Sequence, residues 1–143
     1  MILPDVNLLL YAHVTDYREH AAALRWWDAA LNGAEDIGLC WVVILGFVRV
    51  ATHRSALKRP MTIDAAEQYV QSWLAQPVVR IVEPGYRHAA ILFGILRELG
   101  TAANLTTDAH IAALSVEHRA TVHTNDGDFR RMPGLRCHNP LVS

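Results

Sequence analysis

Residues 106–129 read TTDAHIAALSVEHRATVHTNDGDF, and two periodicities inside this stretch decide the fold. TTDAHIAALSVEHR has helical spacing and begins at Thr106 or Thr107, either of which suits an N-cap. ATVHTND then reads as a strand that ends among turn formers. The same alternation runs outward through the rest of the chain. MILPDVNLLLYA begins as a short strand, with Pro4 opposing a longer ladder, and the apolar run after Asn7 starts a helical turn. YREHAAALRWWDAALNG, from Tyr17, is a helix with Gly33 at the expected C-cap. DIGLC is a strand. WVVILGFVRVATH fits either period, but its length and the strand before it favour a buried helix. MTIDAAEQYVQSWLAQP is a helix capped by Thr62 and stopped by Pro77, and VVRIVEP alternates like a strand. YRHAAILFGILRELG is a helix closing at Gly100, and PGLRCHNP holds a last edge strand. This alternation predicts an α/β sandwich around a mainly parallel central sheet, one domain over residues 1–143.

Composition narrows the options. A chain of 143 residues supports one core, and 52% hydrophobic residues argue against disorder. The longest apolar run, IGLCWVVILGFVRVA, is cut by Arg49 and falls short of a membrane span. No basic region precedes the apolar start, so no secretory signal is expected. Cys40 and Cys137 lack metal or redox spacing and read as core thiols of a cytoplasmic protein. A net charge of −1 excludes RNA or DNA binding driven by bulk charge, and leaves room for a local basic patch.

Four aspartates stand at the ends of these apolar segments. In such a sheet, ligands gather beyond the carboxyl ends of the strands. Asp5 and Asp126 each follow a predicted strand, Asp108 opens a helix, and Asp128 lies beside Asp126. Each has an ordinary competitor. Asp108 at a helix start is worth about 0.3–1 kcal/mol through the dipole, and Asp126 within NDGD suits a turn. Asp5, between two apolar runs, is costly if buried without a partner. Carboxylates gathered from distant segments repel one another unless a cation sits among them. Hard oxygen ligands without a partnering His or Cys pair suit Mg²⁺ or Mn²⁺ over zinc. Mg²⁺ is commonly shared with substrate phosphate, which makes a phosphodiester the natural substrate. Spacing alone goes no further than a possible metal site.

LPDVNLLLYA, NLTTDAHIAAL and TVHTNDGDF, in this order, resemble the PIN-domain ribonucleases, and more narrowly the VapC toxins of bacterial toxin–antitoxin modules. The likeness runs the length of the chain, through EPGYRH and the ending PGLRCHNPL. It implies a three-layer α/β/α sandwich, Mg²⁺-dependent endonucleolytic hydrolysis of RNA, and a VapB-type antitoxin whose tail blocks the site. By position it implies that Asp5, Asp108 and Asp126 are catalytic metal-binding acids, with Asp128 as a further ligand. Asn7 and Thr124 match the polar residues that steady these carboxylates. One position departs: Gly46 stands where many PIN domains carry a glutamate. Fewer protein oxygens and more water around the metal then follow, with weaker Mg²⁺ binding or a preference for Mn²⁺. Glu19 is a candidate substitute. Gly46 also motivates an alternative, a catalytically weak PIN domain acting by binding RNA or a partner.

An RNA-cleaving enzyme needs cations near its metal. Arg49, Arg54 and Arg130 are the candidates, with His53, Lys58, Arg59 and Arg131 beside them. Arg49 within so apolar a helix calls for an acidic partner. Trp26, Trp27, Trp41 and Trp73 read as core or interface packing, and the apolar first helices favour a homodimer or a covered surface. The eight histidines lack zinc spacings, and His110 reads as a site-edge or packing residue. A phospho-acceptor receiver fold needs a lysine late in the chain, and the one lysine, Lys58, lies in the wrong half.

Overall fold

The computed structural model describes residues 1–142. Its strands are β1 (Ile2–Pro4), β2 (Ile37–Leu39), β3 (Val79–Ile81), β4 (Thr121–His123) and β5 (Cys137–His138). Its helices are α1 (Val6–His13), α2 (His20–Leu31), α3 (Trp41–Ala51), α4 (Ile63–Leu74), α5 (His88–Leu99) and α6 (Thr106–His118). All strand pairings are parallel, in the order β3-β2-β1-β4-β5. The helices form two packed groups, α1–α4 and α5–α6, as the flanking layers of an α/β/α sandwich.

Three-residue strands persist here because the middle of the sheet is buried, β1 and β2 throughout and β4 at Val122. Leu3, Ile37, Leu39 and Val122 are each 0% exposed, and apolar burial contributes about 25 cal/mol per Å². Pro4 ends β1 opposite His123, and Asp5 N–H takes over the ladder by donating to the His123 carbonyl at 2.9 Å. The edge strand β3 is more exposed, and Arg80 on it pairs with Asp36 at 3.0 Å.

Thr62 caps α4 by accepting from Ala65 N–H, and Gly100 closes α5 with φ +74°. Two boundaries differ from expectation. The cap of α2 is Asn32, one residue before Gly33. Neither Thr106 nor Thr107 caps α6, because a 3₁₀ turn at Ala103–Leu105 leads straight into it and the Thr106 hydroxyl donates back to the Ala103 carbonyl.

Trp27 and Trp73 are core residues packed around His13, whose Nε2 accepts from Trp73 Nε1 at 3.1 Å. Trp26 is half-buried and donates to His123 Nδ1 at 3.2 Å. Trp41 lies outside the core at 51% exposed, because it opens α3 on the outer side of the helix. Of the thiols, Cys40 is buried and Cys137 only partly so.

From β1 the chain steps outward to β2 and β3, then returns to the other side of β1 as β4. The crevice where the winding reverses therefore lies between the carboxyl ends of β1 and β4.

Candidate metal centre

Four aspartates reach that crevice from three separate places in the chain. Asp5 follows β1 and caps α1, its Oδ1 accepting from Val6 N–H at 2.7 Å. Asp126 lies three residues past β4 and caps a 3₁₀ turn at Gly127–Arg131, accepting from Asp128 N–H at 2.9 Å. Asp108 stands in the first turn of α6. Carboxylate oxygens of Asp108, Asp126 and Asp128 lie within 4.8 Å of one another. Asp5, only 3% exposed, sits beneath this group and outside it.

Thr124 ties the two strand ends together. Its buried hydroxyl donates to Asp5 Oδ2 at 2.9 Å and accepts from Asp126 N–H at 2.9 Å. One side chain thus sets both the deep carboxylate and the loop that carries the shallow ones.

Electrostatics mark the centre as short of positive charge. The Asp108 carboxyl is pushed up to about 6 by burial first, then by Asp5, Asp126 and Asp128. Asp5 is also raised, chiefly by burial, against the pull of its Thr124 and Val6 hydrogen bonds. Among the described residues the acids' one ion pair is Arg131 to Asp128, long at 4.0 Å. A close group of hard oxygens with so little positive charge beside it fits a divalent cation. The described residues lend it no nitrogen or sulfur donor.

A cavity of about 530 Å³ opens above Asp5 and Asp108, walled by Val6, Val42, Gly46 and Arg49 among others. Gly46 is buried where α3 passes α1, and a Cβ there would stand 3.1 Å from Val6 Cγ2. The absent side chain leaves that wall open.

The other sequence candidates fall variously. Among the described residues no hydrogen bond joins Asn7 to a site carboxylate, and the Val6 N–H and Thr124 hydroxyl hold Asp5 instead. Arg49 is exposed at the cavity wall and makes no ion pair among the described residues, so its place in an apolar helix needs no acidic partner. Arg130 is exposed and lines a small pocket of about 40 Å³ with Asp126 and Asn139. Arg54 lies in the turn after α3 and lines neither. Glu19 is engaged by Arg18 at 3.2 Å and stands outside the aspartate group.

Leu45 and Ile111 also line the cavity without being singled out in the sequence, as does Thr107, which the sequence marks only as a candidate helix cap. Only the helical register relative to Asp108 and Gly46 would have pointed to them.

Residues 2–135 match the family profile described as PIN domain. Ribonuclease VapC33 of Mycobacterium tuberculosis is 43% identical over 141 residues, covering 99% of each chain. Ribonuclease VapC37 of the same organism is 47% identical over 140 residues, covering 98% of this chain and 97% of the relative. Among solved structures, VapBC2 from Rickettsia felis bound to a DNA fragment from its promoter superposes with a TM-score of 0.67. It is 19% identical and covers 97% of this chain and 98% of that one.

Proposed function

The chain belongs to the PIN-domain family, and from that premise we propose that it is a VapC-type toxin, an endoribonuclease that hydrolyses phosphodiester bonds in RNA. The observation that carries this reading is the convergence of Asp108, Asp126 and Asp128 at the crevice between β1 and β4, with Asp108 raised to about 6 by burial and then by its acidic neighbours.

Asp108, Asp126 and Asp128 would hold Mg²⁺, or Mn²⁺ in its place, while Asp5 adds charge from below through lone pairs its two hydrogen bonds leave free. When bound, such an ion supplies Lewis acidity at a phosphoryl oxygen and lowers the pKa of a water. Thr124 keeps Asp5 and Asp126 in fixed relation, a supporting role of the kind that holds ligand geometry. Arg49 and Arg130 flank the crevice and are suited to contact the RNA backbone on either side of the cut.

The partners follow the same reading: a VapB-type antitoxin and a second copy of this chain, in the cytoplasm where RNA and free thiols coexist. No helix of the described residues is long and apolar enough to cross a membrane.

The test is incubation of total cellular RNA with the purified, partner-free protein in Mg²⁺, in Mn²⁺ and with chelator, beside Asp108→Asn. Discrete fragments that require metal and vanish in the variant are expected. Intact RNA in every condition, with the protein folded, would overturn the nuclease and favour a protein that only binds.

A further inference from the structure

A second cavity of about 330 Å³ adjoins the first, lined by Trp41, Val42, Val82, Glu83, Pro84 and His110 among others. Val42 lines both cavities, and His110 stands two residues past Asp108 on α6. Trp41 follows β2 and Glu83 follows β3, so the cavity lies over the carboxyl ends of β2 and β3, the two strands on one side of β1. Neighbouring strands are about 4.8 Å apart, which sets the cavity one or two such spacings, about 5–10 Å, from the strand end carrying Asp5. That is the reach of one nucleotide from a phosphate held at the acids.

The lining has a defined hydrogen-bonding character. Glu117 Oε1 accepts from Gly85 N–H at 2.9 Å and faces His88 Nδ1 at 3.5 Å. A Cβ at residue 85 would collide with that carboxylate, so the close approach requires glycine. The anionic oxygen favours the tautomer with the proton on His88 Nδ1, which leaves His88 Nε2 as an acceptor. His110 Nδ1, 2.9 Å away, then donates to it. The remaining ring nitrogen, His110 Nε2, is left with its lone pair. His88 is 8% exposed between Glu117 and His110, and its Nδ1 makes no hydrogen bond among the described residues, so the Glu117 carboxylate acts on it through charge at 3.5 Å. The lining thus combines a half-exposed indole, Trp41, with two side chains able to accept a hydrogen bond, His110 and Glu83.

We infer that this cavity is a base subsite, in which Trp41 stacks on a guanine beside the cleaved phosphate while His110 and Glu83 accept from its Watson–Crick edge. Guanine is the one RNA base that offers two adjacent donor atoms there, the N1–H and the exocyclic amino group. Single-stranded RNA is read in this way, by stacking on aromatic rings and by hydrogen bonds to splayed base edges. The inference rests on the ribonuclease reading.

Two measurements on the full-length protein separate the two claims. In the first, cut sites are mapped on a random-sequence RNA with wild type, Trp41→Ala, His110→Ala and His110→Gln. Guanine enrichment at one position next to the cut is expected. Trp41→Ala should raise KM about tenfold, the order of one lost base stack, and move kcat less. His110→Ala should flatten the guanine preference, while His110→Gln, which keeps an acceptor oxygen, should retain part of it. In the second, the metal-free protein is titrated with each of the four ribonucleoside 5′-monophosphates while the Trp41 indole and His110 ring resonances are followed by NMR. Guanosine monophosphate should shift both signals at the lowest concentration. RNA cut without guanine preference, or a preference that survives His110→Ala, overturns the subsite and leaves the nuclease standing. RNA left intact, with selective shifts by guanosine monophosphate, overturns the nuclease and leaves the subsite. Shifts equal for all four nucleotides overturn it as well.

Discussion

Asp108 is held in the folded chain as a carboxyl reluctant to ionise, with its pKa raised to about 6 by burial and by three other acids. The unfolded chain ionises it near 3.8, so the metal-free fold loses stability from this group as pH rises from about 4 through 6. Asp108→Asn should therefore melt higher than wild type at pH 7.5 without divalent ions, and equally at pH 4. Thermal melts at the two pH values check this. Mg²⁺ should raise the melting temperature of wild type at pH 7.5 and not of the variant. Thr124 makes a second test at the same scale. Thr124→Val keeps the shape but leaves Asp5 Oδ2 and the Asp126 N–H without partners, at a cost of about 1–3 kcal/mol in urea denaturation. Gly46 makes a third. Gly46→Glu forces a Cβ against Val6 and should cost about 1–3 kcal/mol. Adding Val6→Ala should recover stability and tighten Mg²⁺ binding by calorimetry, since the new carboxylate faces the cavity that Asp108 lines.

At the scale of elements, α6 ends under strain. Arg119 caps it at φ +55°, a left-handed conformation that costs an L-residue about 1–2 kcal/mol. Arg119→Gly should stabilise the chain by about 1 kcal/mol, or roughly 3 °C in melting temperature. The helices and strands were legible in the sequence because burial enforces their periods. Even β2 and β4, three residues each, stood out, β2 as an apolar run and β4 as an alternation about Val122 that ends among turn formers. The cap of α6 was not legible. Thr106 and Thr107 look like caps until the preceding 3₁₀ turn supplies the backbone bonds. The rim where the acids gather could be read from Asp5 and Asp126 following apolar strands. The directions of Asn7, Arg49 and Trp41 could not, since they depend on how α1 and α3 are rotated against the sheet. The link from Glu117 through His88 to His110 joins the segment before α5 to α6 by a close approach at Gly85, and no spacing announces it.

Across the whole molecule, acid acts in two opposed ways. His123 is pushed down to about 4 by burial first and then by His138, and His13 is lowered by burial. Unfolded histidines titrate near 6.5, so this contribution is complete above that pH and is lost as pH falls toward 4. Asp108→Asn, with Asp5 the remaining raised carboxyl, should lose melting temperature more steeply than wild type from pH 7 to 4.

The sheet order has a consequence for how the protein comes into being. Thr124 and Asp5 are 119 residues apart in the chain, and β1 waits for β4 on one flank until the last fifth is made. At roughly 5–20 residues per second, about 6–24 s of synthesis separate the two. A nascent chain that stops before residue 121 carries Asp5 and Asp108 but lacks the strand that joins them to Asp126. The four acids therefore cannot act together until Thr124 and Asp126 have been added to the chain.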